Sequence, residues 1–197
     1  MELILIRHGE PHSETRTDGT PADPPLTDLG RRQARAAASK LSAEGPFDGL
    51  YSSPMRRTRE TAEPILAATG LTANYRDGLR EWGAGSGRYI GDDELRSAGP
   101  DDADVTRLRS GLADEHGYRF RRRIVEAIEE IVAAHRAQRV LIVCHGGVIN
   151  AYVSHILETD KVLLFAPAHT SVTRVLAQSS GMRSLHTANE HDHIKTL

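Results

Sequence analysis

Short apolar runs alternate with helical stripes along this chain, and each run stops at a polar cluster. Leu3-Ile4-Leu5-Ile6 and Val140-Leu141-Ile142-Val143 are unbroken, as strands covered on both faces are. Phe47 to Tyr51 is a weaker third run. The first two end in Arg7-His8-Gly9-Glu10 and Cys144-His145-Gly146-Gly147, and the third in Ser52-Ser53-Pro54. Between the runs, Thr27 stands where it can cap a helix carrying Leu29, Ala34, Ala37, Ala38 and Leu41. Arg56 to Ala68 reads as a second helix, with Pro64 as a kink or a start. Phe120, Ile124, Ala127, Ile128 and Ile131 stripe a third, and Gly147 to Leu157 begins a fourth. Val172 to Ala177 and Met182 to His186 pattern as a hairpin about Ser179-Ser180-Gly181.

Strands alternating with helices predict a three-layer α/β/α fold with a mainly parallel central sheet. Such sheets bind ligands at the carboxyl ends of their strands, which is where the polar clusters fall. No repeat or linker divides the chain, so residues 1–197 are expected to form a single domain. Within it Trp82 to Gly117, irregular and rich in Gly and Asp, predicts a lid or cap insertion.

Composition narrows the partners. The 197 residues can bury a core without disulfide or metal staples. With 25 basic against 27 acidic residues the formal charge is −2, so there is no broad basic field for nucleic acid. One cysteine forbids an internal disulfide framework and fits a reducing compartment. No apolar run approaches the roughly 20 residues that span a bilayer, and Met1 to Arg7 leads into charge rather than forming a signal peptide. A cytoplasmic protein without a membrane partner is expected. All basic residues except Lys40, Lys161 and Lys195 are arginines, whose planar fork fits carboxylates and phosphates.

Four clusters carry candidate chemistry. In Arg7-His8-Gly9 an imidazole follows a buried strand; its neutral form is a nucleophile near pH 7, and an adjacent arginine can hold a phosphoryl oxygen. Cys144-His145-Gly146-Gly147 opens a helix, whose first amides favour anions. Ser53-Pro54-Met55-Arg56-Arg57-Thr58-Arg59 also opens a helix, and one of its arginines can face the same pocket. Leu79-Arg80-Glu81-Trp82-Gly83 places a carboxyl on a loop, where it can protonate a leaving oxygen. Each cluster alone also fits a solvated turn or helix face.

Taken in this order, the four clusters resemble the histidine phosphatase superfamily, the phosphoglycerate mutase-like proteins, over nearly the whole chain. The Leu-Ile-Arg-His-Gly-Glu start matches the family signature, and Pro25-Leu26-Thr27-Asp28-Leu29-Gly30 its first helix entrance. Asn189-Glu190-His191-Asp192-His193-Ile194 is similar to its tail. The resemblance implies that His8 is the nucleophile and becomes a phosphohistidine. It implies that Arg7, Arg57 (rather than Arg56), His145 and Gly146 hold the phosphoryl oxygens, and that Glu81 is the proton donor and acceptor. The implied activity is hydrolysis of a small phosphate monoester without metal or other cofactor. Mutase transfer between hydroxyls and a non-enzymatic binding module are the alternatives. The resemblance leaves the oligomeric state open, with a homodimer as one option.

The chain departs from the family where many members carry an Asn beyond the signature: Glu14 stands there. A carboxylate pointing inward would repel phosphate, so the loop 11–24 is expected to run differently or to lack a contact. The mutase-type stretch before the first helix is absent as well, which favours hydrolysis. Cys144 is read as a small buried residue, and His191-Asp192-His193 as too few ligands for a metal. His12, His116, His135, His155, His169 and His186 are given no role. Arg80, Arg88, Arg96, Arg107 and Arg109 are read as a solvated face, with recognition of a second anion as the alternative.

Overall fold

A computed structural model describes residues 1–89 and 114–197. The sheet is built on β1 (Glu2–Arg7) and β6 (Arg139–Cys144), the two apolar runs, which pair in parallel from Glu2↔Arg139 to Arg7↔Cys144. Outward from β6 lie β3 (Gly49–Ser52) and then β4 (Ala73–Tyr75). On the other side β1 pairs antiparallel with β7 (Val172–Ala177), which folds back onto β8 (Arg183–Glu190). The order is β4-β3-β6-β1-β7-β8, and of these strands only β7 runs against the rest. A separate ribbon pairs β2 (Glu14–Thr15) with β5 (Arg88–Tyr89).

Alternation along the strands divides two cores. Leu3 and Leu5 of β1 with Val140, Ile142 and Cys144 of β6 face α3 (Glu115–Ala134) and α4 (Gly146–Ile156). Ile4 and Ile6 with Leu141 and Val143 face α1 (Asp28–Glu44) and α2 (Arg56–Thr69). Both faces are covered, which is why these strands read as unbroken apolar runs. The three-layer arrangement expected from the sequence is the one observed.

Local signals set most element ends. Thr27 caps α1, its Oγ1 accepting the Gly30 N–H at 2.9 Å. Asp114 caps α3 in the same way at Gly117, so residues 115–117 belong to that helix rather than to a lid. Pro64 lies inside α2. The rest of the expected 82–117 insertion, with Arg96, Arg107 and Arg109, lies outside the described residues beyond Tyr89. No described helix is long and apolar enough to cross a membrane.

Two glycines seat α1 on the loop after β1. A Cβ at Gly30 would stand 2.1 Å from the Glu10 carbonyl oxygen, and one at Gly9 would stand 2.5 Å from that of Gly30. The backbones touch there only because neither residue has a side chain.

Candidate active site

Four neighbouring strands deliver the site at their carboxyl ends. β1 carries Arg7 and leads into His8, and β6 leads into His145, Gly146 and Gly147 at the start of α4. β3 leads into Ser53 and the first turn of α2, which holds Arg57. After β4 a 3-10 turn at Asp77–Leu79 leads into Glu81. A cavity of roughly 1060 Å³, framed by the described residues, is lined at this end by Arg7, His8, Arg57, Glu81, Gly146 and Gly147.

The orientation of His8 is fixed. Its Nδ1 lies 2.8 Å from the Gly9 carbonyl oxygen, an acceptor, so Nδ1 carries the proton. Nε2 therefore holds the lone pair, and Arg57 Nε donates to it at 3.3 Å. The loop itself is held on both sides. The Gly9 N–H donates to Thr61 Oγ1, and that hydroxyl donates to the Arg57 carbonyl. The Thr170 N–H donates to the His8 carbonyl at 3.3 Å, from a left-handed conformation (φ 56°) that β-branched residues rarely adopt.

His145 stands edge-on to His8, ring centroids 5.2 Å apart, and is fully buried. Its Nε2 meets Ser53 Oγ at 2.9 Å, and the same hydroxyl oxygen accepts the Met55 N–H at 3.4 Å. A hydroxyl that donates to Nε2 places the imidazole proton on Nδ1, the tautomer in which His145 can donate toward an anion. That Nδ1, and Arg57 Nη1, are buried without a hydrogen-bond partner among the described residues. Buried polar atoms are normally hydrogen-bonded, so two such donors beside His8, with Arg57 Nη1 also 3.8 Å from Asp23 Oδ1, suit an anion.

Charge and burial tune the groups in opposite directions. Burial first, and then Arg57, His145, Arg7 and His169, hold the His8 pKa well below 6.5. Burial and the guanidiniums of Arg57 and Arg7 do the same to His145. Both rings are neutral near pH 7. Glu81 moves the other way. Burial raises its carboxyl, against the pull of the Gly147 and Trp82 N–H groups and of Arg57 and Arg7. A neutral imidazole and an acid that keeps its proton longer than usual thus share one cavity.

The profile of the histidine phosphatase superfamily (branch 1) matches residues 3–190. This chain belongs to that superfamily. Phosphoserine phosphatase 1 of Hydrogenobacter thermophilus is 30% identical over 174 residues, 81% of this chain and 78% of its own. A 2,3-bisphosphoglycerate-dependent phosphoglycerate mutase of Azorhizobium caulinodans is 31% identical over 163 residues, 77% of this chain and 79% of its own. Among solved structures, Bacillus stearothermophilus YhfR matches with a TM-score of 0.79 at 27% identity, over 98% of this chain and 99% of that one. The protein is a histidine phosphatase, a hydrolase of phosphate esters.

In this histidine phosphatase the expected residues Arg7, His8, Arg57, Glu81 and Gly146 reach one cavity, with His145 against His8. Glu14 does not line it. Its Oε2 accepts the Asp23 N–H at 2.8 Å and its Oε1 lies 3.3 Å from Arg16, so the carboxylate serves the loop 11–24. Cys144 is fully buried and burial raises its pKa, as expected of a structural thiol. No cluster of metal-ligating side chains forms among the described residues.

Further residues reach the site without a role assigned from the sequence. Ser53 fixes the proton of His145, and Asn150, inside α4, holds the chain around the cavity. His169, given no role, lies 5.8 Å from His8, and His116 lines the cavity. Tyr89 packs its ring 4.5 Å from the Arg57 guanidinium. Only the position of Ser53 directly after a strand could have drawn attention to it.

Proposed function

We propose that this histidine phosphatase hydrolyses a small phosphate monoester through a phosphohistidine on His8. The observation that carries the reading is the orientation of His8, with Nδ1–H on the Gly9 carbonyl and the Nε2 lone pair beside Arg57. Nε2 attacks phosphorus, and the N–P bond forms as the ester P–O bond breaks. Protonated Glu81 gives its proton to the leaving alkoxide. Water then attacks phosphorus and yields its proton to the Glu81 carboxylate. The N–P bond breaks, and inorganic phosphate leaves His8 neutral again. Arg7, Arg57, the His145 Nδ1–H and the Gly146 N–H hold the phosphoryl oxygens throughout. Phosphoryl transfer needs positioning and charge neutralisation above all, and two guanidiniums with a donor imidazole supply both.

Hydrolysis is favoured over mutase transfer by the segment after the signature. The mutase-type stretch between the signature and α1 is absent, and Thr15 to Pro25 holds Thr, Asp, Gly and Pro instead. Wild type quenched in alkaline denaturant during turnover should carry phosphate on His8, and H8A should carry none. Product analysis with a phosphoglycerate separates the activities: inorganic phosphate supports the hydrolase, and an isomerised ester overturns it.

A further inference from the structure

Beyond the phosphate end, the cavity meets a wall that is irregular in backbone yet firmly held. Residues 163–167, between α4 and β7, form neither helix nor strand. Asn150 of α4, 2% exposed, secures them. Its Oδ1 accepts the N–H groups of Leu164 and Phe165 at 2.7 and 3.0 Å. Its Nδ2 donates to the carbonyls of Phe165 and Gly146, both at 2.9 Å. Arg7 Nη1 donates to the Pro167 carbonyl at 2.5 Å. One buried amide and one arginine thus fix this stretch to the residues that open the phosphate end.

What the stretch presents to the cavity is apolar. Leu163, Leu164 and Phe165 line it together with Trp82 and Phe120. Leu164 is 37% exposed. Two arginines of the lining are already engaged. Arg123 donates to the carbonyls of Asp77, Gly78 and Arg80, and Arg119 pairs with Glu115 one turn earlier on α3. The Arg123 donors hold protein acceptors, while Arg119 turns one donor to Glu115 and Arg88 also lines the cavity.

We infer that the alcohol half of the substrate is bulky and apolar, an alkyl or aryl body seated against Trp82, Phe120 and Leu163–Phe165, and not a short acid with a second charge. The inference rests on the proposed function for its phosphate end. Asn150 acts as a positioning residue for that wall.

Calorimetric binding of ethyl-, butyl-, hexyl- and octylphosphonate tests it, because phosphonates are gripped but not hydrolysed. Affinity should rise about two- to fourfold per added methylene, the gain of burying apolar carbon. Butylphosphonate should bind more tightly than 3-phosphonopropionate, which carries a second carboxylate. L164D and L164A, at an exposed position, should flatten the series. A flat series in wild type, or tighter binding of 3-phosphonopropionate, would overturn the inference. Hydrolysis of ethyl phosphate with a flat phosphonate series defeats this inference alone. A rising series with no hydrolysis of any alkyl phosphate defeats the hydrolase reading alone.

Discussion

The Glu81 carboxylate fills the space that a side chain at residue 147 would need. Its Oε2 accepts the Gly147 N–H at 2.9 Å, and a Cβ at Gly147 would stand 2.2 Å from Oε1. Gly147 therefore sets the position of the acid. In G147A the carboxyl must leave its seat, while alanine inside α4 favours the helix by roughly 1 kcal/mol. The expected outcome is a folded protein whose kcat on alkyl phosphates falls about 100-fold, the worth of general acid catalysis. Aryl phosphates, whose leaving groups need less protonation, should lose far less. Equal losses on both substrates would show that Glu81 is not the acid.

The pH dependence follows from two opposite shifts. Attack needs neutral His8, whose pKa burial and neighbouring cations hold well below 6.5, so the acid limb of kcat/KM should lie below pH 6.5. Proton donation needs protonated Glu81, whose pKa burial raises above 4.5, so the alkaline limb should lie above pH 4.5. Activity should thus peak between the lowered His8 value and the raised Glu81 value. E81Q should lower the rate and remove the alkaline limb. A profile for E81Q with that limb in place would assign it to another group.

Ser53 offers a test of the tautomer of His145. In S53A the imidazole is free to move its proton to Nε2, which turns Nδ1 from donor to acceptor. KM for phosphate esters should rise and kcat should fall, together about tenfold in kcat/KM. Stability should drop by about 1–3 kcal/mol, because a buried ring nitrogen loses its partner. Thermal unfolding and steady-state kinetics read the two effects. S53T, which keeps the hydroxyl, should recover most of the kinetic loss.

Arg174 on β7 ties three elements at the far side of the sheet, through ion pairs to Glu2, Glu44 and Glu190 at 3.1, 2.7 and 2.9 Å. Burial pushes these carboxyls up, but hydrogen bonds from Arg139 and Arg174 to Glu2, from Lys40 and Arg174 to Glu44, and from Thr187 and Arg174 to Glu190 bring all three below 4.5. Depressed carboxylates stabilise the fold above pH 4.5 and lose that effect as pH falls through their lowered values. R174L leaves three carboxylates facing one another and should cost about 3 kcal/mol at pH 7. The gap between wild type and variant should shrink as pH drops below 4.5. Chemical denaturation at pH 7 and pH 4 checks the sign.

What could be read from the residues was local. Leu3–Ile6 and Val140–Val143 announced β1 and β6 because both of their faces are covered, and Thr27 marked the start of α1 to the residue. β3 begins two residues later than the Phe47 run suggests, since Phe47 packs into the core from the loop before it. β4 was not legible: Ala73–Tyr75 is an edge strand of three residues, two of them exposed. The ribbon of β2 with β5 depends on residues some seventy positions apart, which no periodicity reveals. The clusters around His8, Arg57, Glu81 and His145 stood out as a conjunction of motifs. Ser53 and Asn150 did not, since their work is hydrogen bonding to residues far away in sequence.

The strand order has a temporal side. β6 lies between β3 and β1, yet it is made after both, with α3 completed before it. Until residue 144 has joined the sheet, the nucleophile on the β1 side and the arginine on the β3 side have no common frame. His145, which closes the gap between them, arrives last of the five polar groups.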